Sequence, residues 1–174
     1  MRLIPALAAA CLAASVAGGA MAMGNQQSTP SALSNSDVQT KIDEANAAIA
    51  AQKYEAAIDI LRPVVDTNPD EANAHNLLGY SYRKLKDFTR AERSYNRALR
   101  IEPKHLGALE YFGELYLETD RPREAEALLA RLREACPGGC EELAALEAAF
   151  ARAGRPLPGQ SSSAGGNPQS RQRW

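Results

Sequence analysis

The chain has 174 residues, 45% apolar and 24% charged, and its 20 Lys and Arg against 21 Asp and Glu leave a net charge of −1. That is room for one modest domain, and the even charge gives no general footing for nucleic acid or an anionic membrane. Aromatics are only 6% while Ala is abundant, the usage of packed helices rather than of a β-sandwich, and one Trp, two His and three Cys give metal or haem chemistry few ligands.

At the N-terminus, Met1-Arg2, the uncharged Ala-rich stretch Leu3 to Ala17 and the A-x-A site Ala20-Met21-Ala22 predict a secretory signal peptide over 1–22, cleaved after Ala22. The apolar run carries Pro5 and Ser15 and is too short to cross a bilayer, which takes about 20 apolar residues. A buried N-terminal helix fits less well, because nothing polar alternates along the run to form a solvent face. A lipid anchor on Cys11 fits less well too, with Ala8 where a large aliphatic residue is needed. Export predicts a periplasmic or secreted protein that keeps Cys136 and Cys140. Residues 23–36 are polar and Pro-interrupted, a spacer.

The middle of the chain repeats. Leu78, Gly79, Tyr82, Ala91, Tyr95, Ala98 and Pro103 recur 34 residues later as Phe112, Gly113, Tyr116, Ala125, Leu129, Leu132 and Pro137. The same step back finds Glu44, Ala45, Ala48, Ala57, Leu61, Val64 and Pro69. Three units run without insertion, 38–71, 72–105 and 106–139. In period and in its W-x2-L-G-x2-Y…A-x3-F…P pattern this stretch resembles the tetratricopeptide repeat family. The middle unit departs from the pattern at His75 and the third at Leu132. The first is degenerate, with Lys41 and Glu44 at apolar positions and Ala48 in place of Tyr.

Apolar spacing of i, i+3, i+4 and i+7 predicts two amphipathic helices per unit, A and B. Small residues at position eight (Ala45, Gly79, Gly113) and position twenty (Ala57, Ala91, Ala125) are expected where A and B cross, with Tyr82, Tyr95, Tyr116 and Leu129 as the knobs around them. Ser36 with Gln39 reads as a capping box for the first helix. Asn68-Pro69-Asp70-Glu71 reads as a cap with Pro at the first helical position, and Asp87 and Asp120 mark the starts of B helices. Pro63 falls inside a B helix and predicts a kink. Beyond the repeats, Leu143, Leu146 and Phe150 form one stripe of a capping helix over 140–153, which covers the last open face of the stack. The expected fold is all-α, seven helices over 37–153; the resemblance makes it a right-handed solenoid of three helix-turn-helix repeats plus the cap. Residues 154–174 are Gly, Pro, Ser and Gln with Arg155, Arg171 and Arg173 and no acid, a basic tail that cannot bury a core and ends on a loose Trp174.

Cys136-Pro-Gly-Gly-Cys140 admits three readings. A structural disulfide across the turn fits an exported chain. A redox pair would use Cys140 at a helix N-terminus, although the spacing is C-x3-C and no βαβ pattern surrounds it. A metal site would need more ligands than two thiolates. His75, at a position that packs between helices, and His105, at a turn, have no ligand at metal spacing nearby. No G-x-S-x-G, phosphate-cradling Gly loop or H-E-x-x-H occurs, and Glu141-Glu142 is a helix start. Neither an enzyme nor a cofactor is expected.

The family resemblance implies a concave face, made mainly by the A helices, that binds an extended or helical segment of another protein. Carried over by repeat position, its candidates are Asn46, then Asn73, Asn76, Tyr80, Arg83 and Lys84, then Glu110, Glu114 and Glu118, a polar face positive in the middle and acidic beyond. Where chaperone-binding relatives clamp a peptide carboxylate with basic residues, this chain has Ile42, Gly107 and Glu110, so that clamp is not expected. Lys41 and Glu44 argue against an apolar edge for self-association, and a monomer is expected. The resemblance extends to small secreted proteins of Gram-negative bacteria, some of which serve envelope or pilus assembly. A thiol redox or metal-handling role for Cys136 and Cys140 is the alternative.

Overall fold

The computed structural model describes residues 33–159; the signal segment 1–22, most of the spacer and residues 160–174 of the tail lie outside them. Among the described residues there are seven helices and no strand: α1 (Asn35–Ala50), α2 (Tyr54–Thr67), α3 (Ala72–Lys84), α4 (Phe88–Ile101), α5 (Leu106–Glu118), α6 (Pro122–Ala135) and α7 (Glu141–Arg152). No helix among them is long and apolar enough to cross a membrane.

Each A helix packs against its own B helix, as α1 on α2, α3 on α4 and α5 on α6, and each B helix packs on the next A. The A helices also touch one another, α1 to α3 to α5 to α7, whereas α2, α4 and α6 do not. Close spacing on one side and open spacing on the other bend the stack. The A helices therefore line the inner, concave face and the B helices the outer one.

The small residues sit where the period puts them. Ala45, Ala57, Ala91 and Ala125 are fully buried. A Cβ on Gly79 would lie 2.6 Å from the Tyr95 ring, so absence of a side chain there is what admits the knob from α4. Gly113 differs from the expected crossing. A Cβ there would meet Leu146 of α7 at 2.7 Å, so its gap serves the contact between successive A helices.

Every A helix leaves by the same turn. Gln52, Lys86 and Asp120, spaced by the repeat length, have φ of 57°, 63° and 57°, and each is followed by a residue whose N–H reaches back across the helix end: Lys53 to the Ala48 carbonyl, Asp87 to Tyr82, Arg121 to Tyr116. This is the left-handed exit that best suits glycine. The turn recurs at Gly154 (φ 65°), where the Arg155 N–H donates to the Phe150 carbonyl at 2.9 Å. Leu146 and Phe150 fall in register with Leu78 and Tyr82. The capping helix thus has the register of the A helix of a fourth repeat, and packing continues past Ala153, since Leu157 rests on the core. Gln52 has no side-chain reason to be left-handed, so Gln52→Gly should raise stability by about 0.5–1 kcal/mol in thermal unfolding.

Three caps differ from expectation. The first helix is capped by Ser34, not Ser36: Ser34 Oγ accepts from the Asp37 N–H and donates to the Asp37 carboxylate at 2.6 Å, while Leu33 and Val38 take the flanking apolar positions. Pro69 does not start α3, because Asn68 is spent elsewhere. It ends α2, and its amide pairs with the backbone N–H and carbonyl of Leu33 (3.0 and 3.1 Å), tying the start of α1 to the end of α2; Glu71 caps α3 instead. Asp87 caps α4 as expected, but Asp120 occupies the left-handed turn and α6 begins at Pro122 without a side-chain cap. Helix α2 runs on through Pro63, whose missing N–H falls on the exposed side.

Candidate functional site

The inner face is built from α1, α3, α5 and α7. Asn46 lies exposed on α1 at the register of Tyr80 and Glu114. Asn73, also exposed, accepts from His105 Nε2 at 3.1 Å in its neutral donor tautomer, and His105 Nδ1 in turn caps α5 by accepting from the Ala108 N–H. His75 has its ring on the Pro69 carbonyl, and burial lowers its pKa. Both histidines are thus occupied within the fold.

Arg83 overturns the picture of a free positive centre. Its side chain is 2% exposed, and its guanidinium pairs at 2.7 Å with both Glu114 and Glu118 of α5. Glu114 also receives Arg152 of α7 at 3.0 Å. Burial alone would lower the Arg83 pKa, but Tyr95, Glu114 and Glu118 around it raise it further. Three residues read as a binding surface therefore staple α3, α5 and α7 together. Lys84 stays exposed, with Nζ 5.1 Å from the Tyr80 ring centre.

What the pairs leave open is aromatic. Tyr80 stands 4.8 Å from Tyr111 and 6.3 Å from Tyr54, centre to centre, and Arg83 lies over both Tyr80 and Tyr111 at 5.4 and 5.8 Å. All three rings are half-buried. Sequence reasoning found Tyr80 but missed Tyr54 and Tyr111, which occupy different positions in their units and carry no common period.

Beside this ladder Nε and Nη2 of Arg83 and the Tyr95 hydroxyl are buried without a hydrogen bond, and two further residues stand out. Asn76 is 5% exposed and its Oδ1 is buried without a hydrogen bond. Glu110 is 9% exposed and no ion pair or hydrogen bond engages its carboxylate among the described residues. The Asn76 amide nitrogen faces α5 at Gly107, whose Cβ position would lie 3.2 Å from it. Burial first, and then Glu114, Glu142 and Glu141, push the Glu110 pKa up to about 7, against the pull of Arg83. Burial, with Glu110 beside it, carries the Tyr111 phenol up to about 12.

A carboxyl whose folded pKa exceeds its unfolded value contributes fully below the unfolded value and loses that contribution as pH rises through the folded one. Charging Glu110 should therefore destabilise the fold progressively from about pH 4.5 to 7. Glu110→Gln removes the penalty, raising stability at pH 8 by about 1–2 kcal/mol once solvent screening is allowed for, and leaving it unchanged at pH 4. Parallel urea titrations at the two pH values check this.

Away from the inner face, the sulfurs of Cys136 and Cys140 stand at bonding distance across the turn before α7, with Cα atoms 6.1 Å apart. No group of three or more His, Cys, Asp or Glu among the described residues is arranged to hold a metal ion.

A repeated A–B helix pair bent around an inner face defines a helical-repeat protein. Two tetratricopeptide repeat models match it, over residues 42–105 and 82–150, the second ending on Phe150 of α7. The chain belongs to the tetratricopeptide repeat family. No curated protein matches it. Similar solved structures include the first such domain of Spaghetti bound to the HSP90 peptide SRMEEVD (22% identity, TM-score 0.59, covering 69% of this chain and 98% of that one). The Yersinia enterocolitica type III secretion translocator chaperone SycD is similar at 18% identity and TM-score 0.60, covering 68% and 96%. The TPR2AB domain of yeast Sti1 in a pHSP90 complex is similar at 14% identity and TM-score 0.63, covering 71% and 48%. At these identities the likeness is one of fold.

Proposed function

We propose that the protein is a non-enzymatic protein–protein interaction module that holds a segment of another protein along its inner face. The observation that carries this reading is the Tyr54–Tyr80–Tyr111 ladder, three half-buried rings in contact across α2, α3 and α5, beside Arg83, Glu114 and Glu118, which are already paired. Tyrosines offer large, rigid contact area at small entropic cost and are favoured interface anchors. The similar folds of Spaghetti, bound to an HSP90 peptide, and of Sti1, in a pHSP90 complex, support the same use of the surface. The signal-like N-terminus supports export, and we place the module in the bacterial cell envelope, in assembly of envelope or pilus machinery, as a monomer.

Peptides selected from a random display library test the reading. Binding should weaken at least tenfold in Tyr80→Ala with Tyr111→Ala and survive Arg93→Ala on the outer α4. Retained affinity in the double tyrosine variant would put the site elsewhere. Arg83 is the wrong residue for such a test, because its loss loosens the stack.

The thiol alternative rests on the proximity of Cys136 and Cys140. As a structural bridge the pair closes a short loop, so replacing both by Ser should cost about 2 kcal/mol and leave peptide binding intact. A strongly reducing measured potential would support the bridge; one near that of thiol oxidoreductases would favour redox work.

A further inference from the structure

We propose that the outer groove between α2 and α4 is a second binding surface, one that takes an extended acidic segment of a partner protein. The outer helices do not touch, so a groove opens between each successive pair. The first, of about 330 Å³, is lined by Leu78 and Tyr82 of α3 and by four arginines, Arg62, Arg90, Arg93 and Arg97. Asp66 is the one acid among the described residues that line it. Arg62 and Arg93 are exposed and enter no ion pair among the described residues. Arg90 and Arg97 hold only Asp87 and Asp70, in pairs largely open to water and of little worth to the fold. Arg90 also lies over the Tyr82 ring at 4.5 Å, which keeps its guanidinium at the groove.

The next groove, between α4 and α6, separates the arginines that the fold uses from those it does not. One repeat length on, Leu78, Tyr82 and Arg97 become Phe112, Tyr116 and Arg131, which line that groove in turn. Arg97 and Arg131 serve alike, each donating to a proline carbonyl, of Pro69 and Pro103, at the turn between units. Arg62, Arg90 and Arg93 instead become Asn96, Glu124 and Ala127. Three of the four guanidiniums are therefore not demanded by the repeat.

Their charge is drawn out in a line. Arg90, Arg93, Arg97 and Arg100 fall at i, i+3, i+7 and i+10 of α4, against one acid in that helix, Glu92, and so span about 15 Å at a rise of about 1.5 Å per residue. A line of that length suits the several carboxylates of an extended segment, about five residues long, better than a single phosphate. Leu78, Tyr82 and Val65 offer such a segment an apolar seat that a polyphosphate could not use. A membrane surface calls for apolar side chains to insert, and Leu85 is the one large apolar residue exposed among the described residues. The chain's outlying stretches do not supply the acids, since residues 23–32 carry no charge and residues 160–174 carry only basic ones.

The test titrates the full chain with an acetylated, amidated pentapeptide, a leucine between two pairs of glutamates, beside its counterpart with glutamine in place of glutamate. By NMR the acidic peptide should shift the side-chain Nε–H signals of Arg62 and Arg93 and the amides of α2 and α4. Binding should weaken at least tenfold with the glutamine peptide, and again between about 0.05 and about 0.5 M salt. Arg62→Gln with Arg93→Gln should also weaken it at least tenfold, while Arg123→Gln on the outer α6 leaves it unchanged. No binding at millimolar peptide, equal binding of the two peptides, or full binding to the double arginine variant would overturn the proposal. So would displacement of the peptide by inorganic pyrophosphate or phosphatidylglycerol vesicles at a lower concentration than the peptide itself needs, which would give the groove to phosphate. The inner face stands or falls separately, because its peptides need Tyr80 and Tyr111 and not these arginines.

Discussion

Replacing Arg83 by Ala should cost about 3–5 kcal/mol, an effect far above that of a surface charge. The guanidinium joins α3 to two acids of α5 and lies over Tyr80 and Tyr111, so truncation leaves a gap beneath the ladder and strands Glu114 and Glu118. Glu118 is a third exposed and regains water, and Glu114 keeps Arg152, which holds the loss within that range. Arg83→Met refills the volume without the charge and should recover about half of the loss, since buried ion pairs are often replaceable by well-packed apolar groups. Because the pair is buried, wild-type stability should respond little to salt between 0.05 and about 0.5 M. Urea denaturation of the three proteins checks all of this. A loss under about 1 kcal/mol for Arg83→Ala would mean that the inner face is not stapled in this way.

Phe150→Ala should cost a further large amount, about 3–5 kcal/mol, and should act on one end of the molecule. Phe150 is fully buried, as is Leu146, whose side chain fills the space that Gly113 leaves open. In a stack whose units touch only their neighbours, losing the last unit's core loosens that end first. Amide hydrogen exchange should quicken in α5, α6 and α7 while α1 and α2 keep their protection. Uniform acceleration would instead make the seven helices one cooperative unit.

The architecture was legible because its signal repeats. Small residues at positions eight and twenty recur in phase in three units, and a single-sequence reading adds such copies together; Gly79, Ala91 and Ala125 were all placed correctly. What escaped is what does not repeat. Ser34 displaced Ser36 as the first cap because Asp37 and the Leu33–Val38 pair favour the earlier register, a contest decided by neighbours within one turn. Asn68 left its capping duty for Leu33, 35 residues away, a contact no local pattern announces.

The site was legible in outline only. Position rules found the inner-face residues of α3 and α5, yet could not say that Arg83 faces inward onto Glu114 and Glu118 a full repeat further on. They put Glu110 among the open groove positions, whereas the fold buries it. Tyr54, Tyr80 and Tyr111 meet across α2, α3 and α5 although they belong to different repeat positions, so no period could have paired them.

Hydrogen exchange on the protein saturated with a library-selected peptide tests the main proposition most directly, that the surface between the A helices does the gripping. Added protection should concentrate on α3 and α5, spread to α1 and α7, and leave α4 and α6 at their free rates. Protection on α2, α4 and α6, with the A helices unchanged, would contradict it.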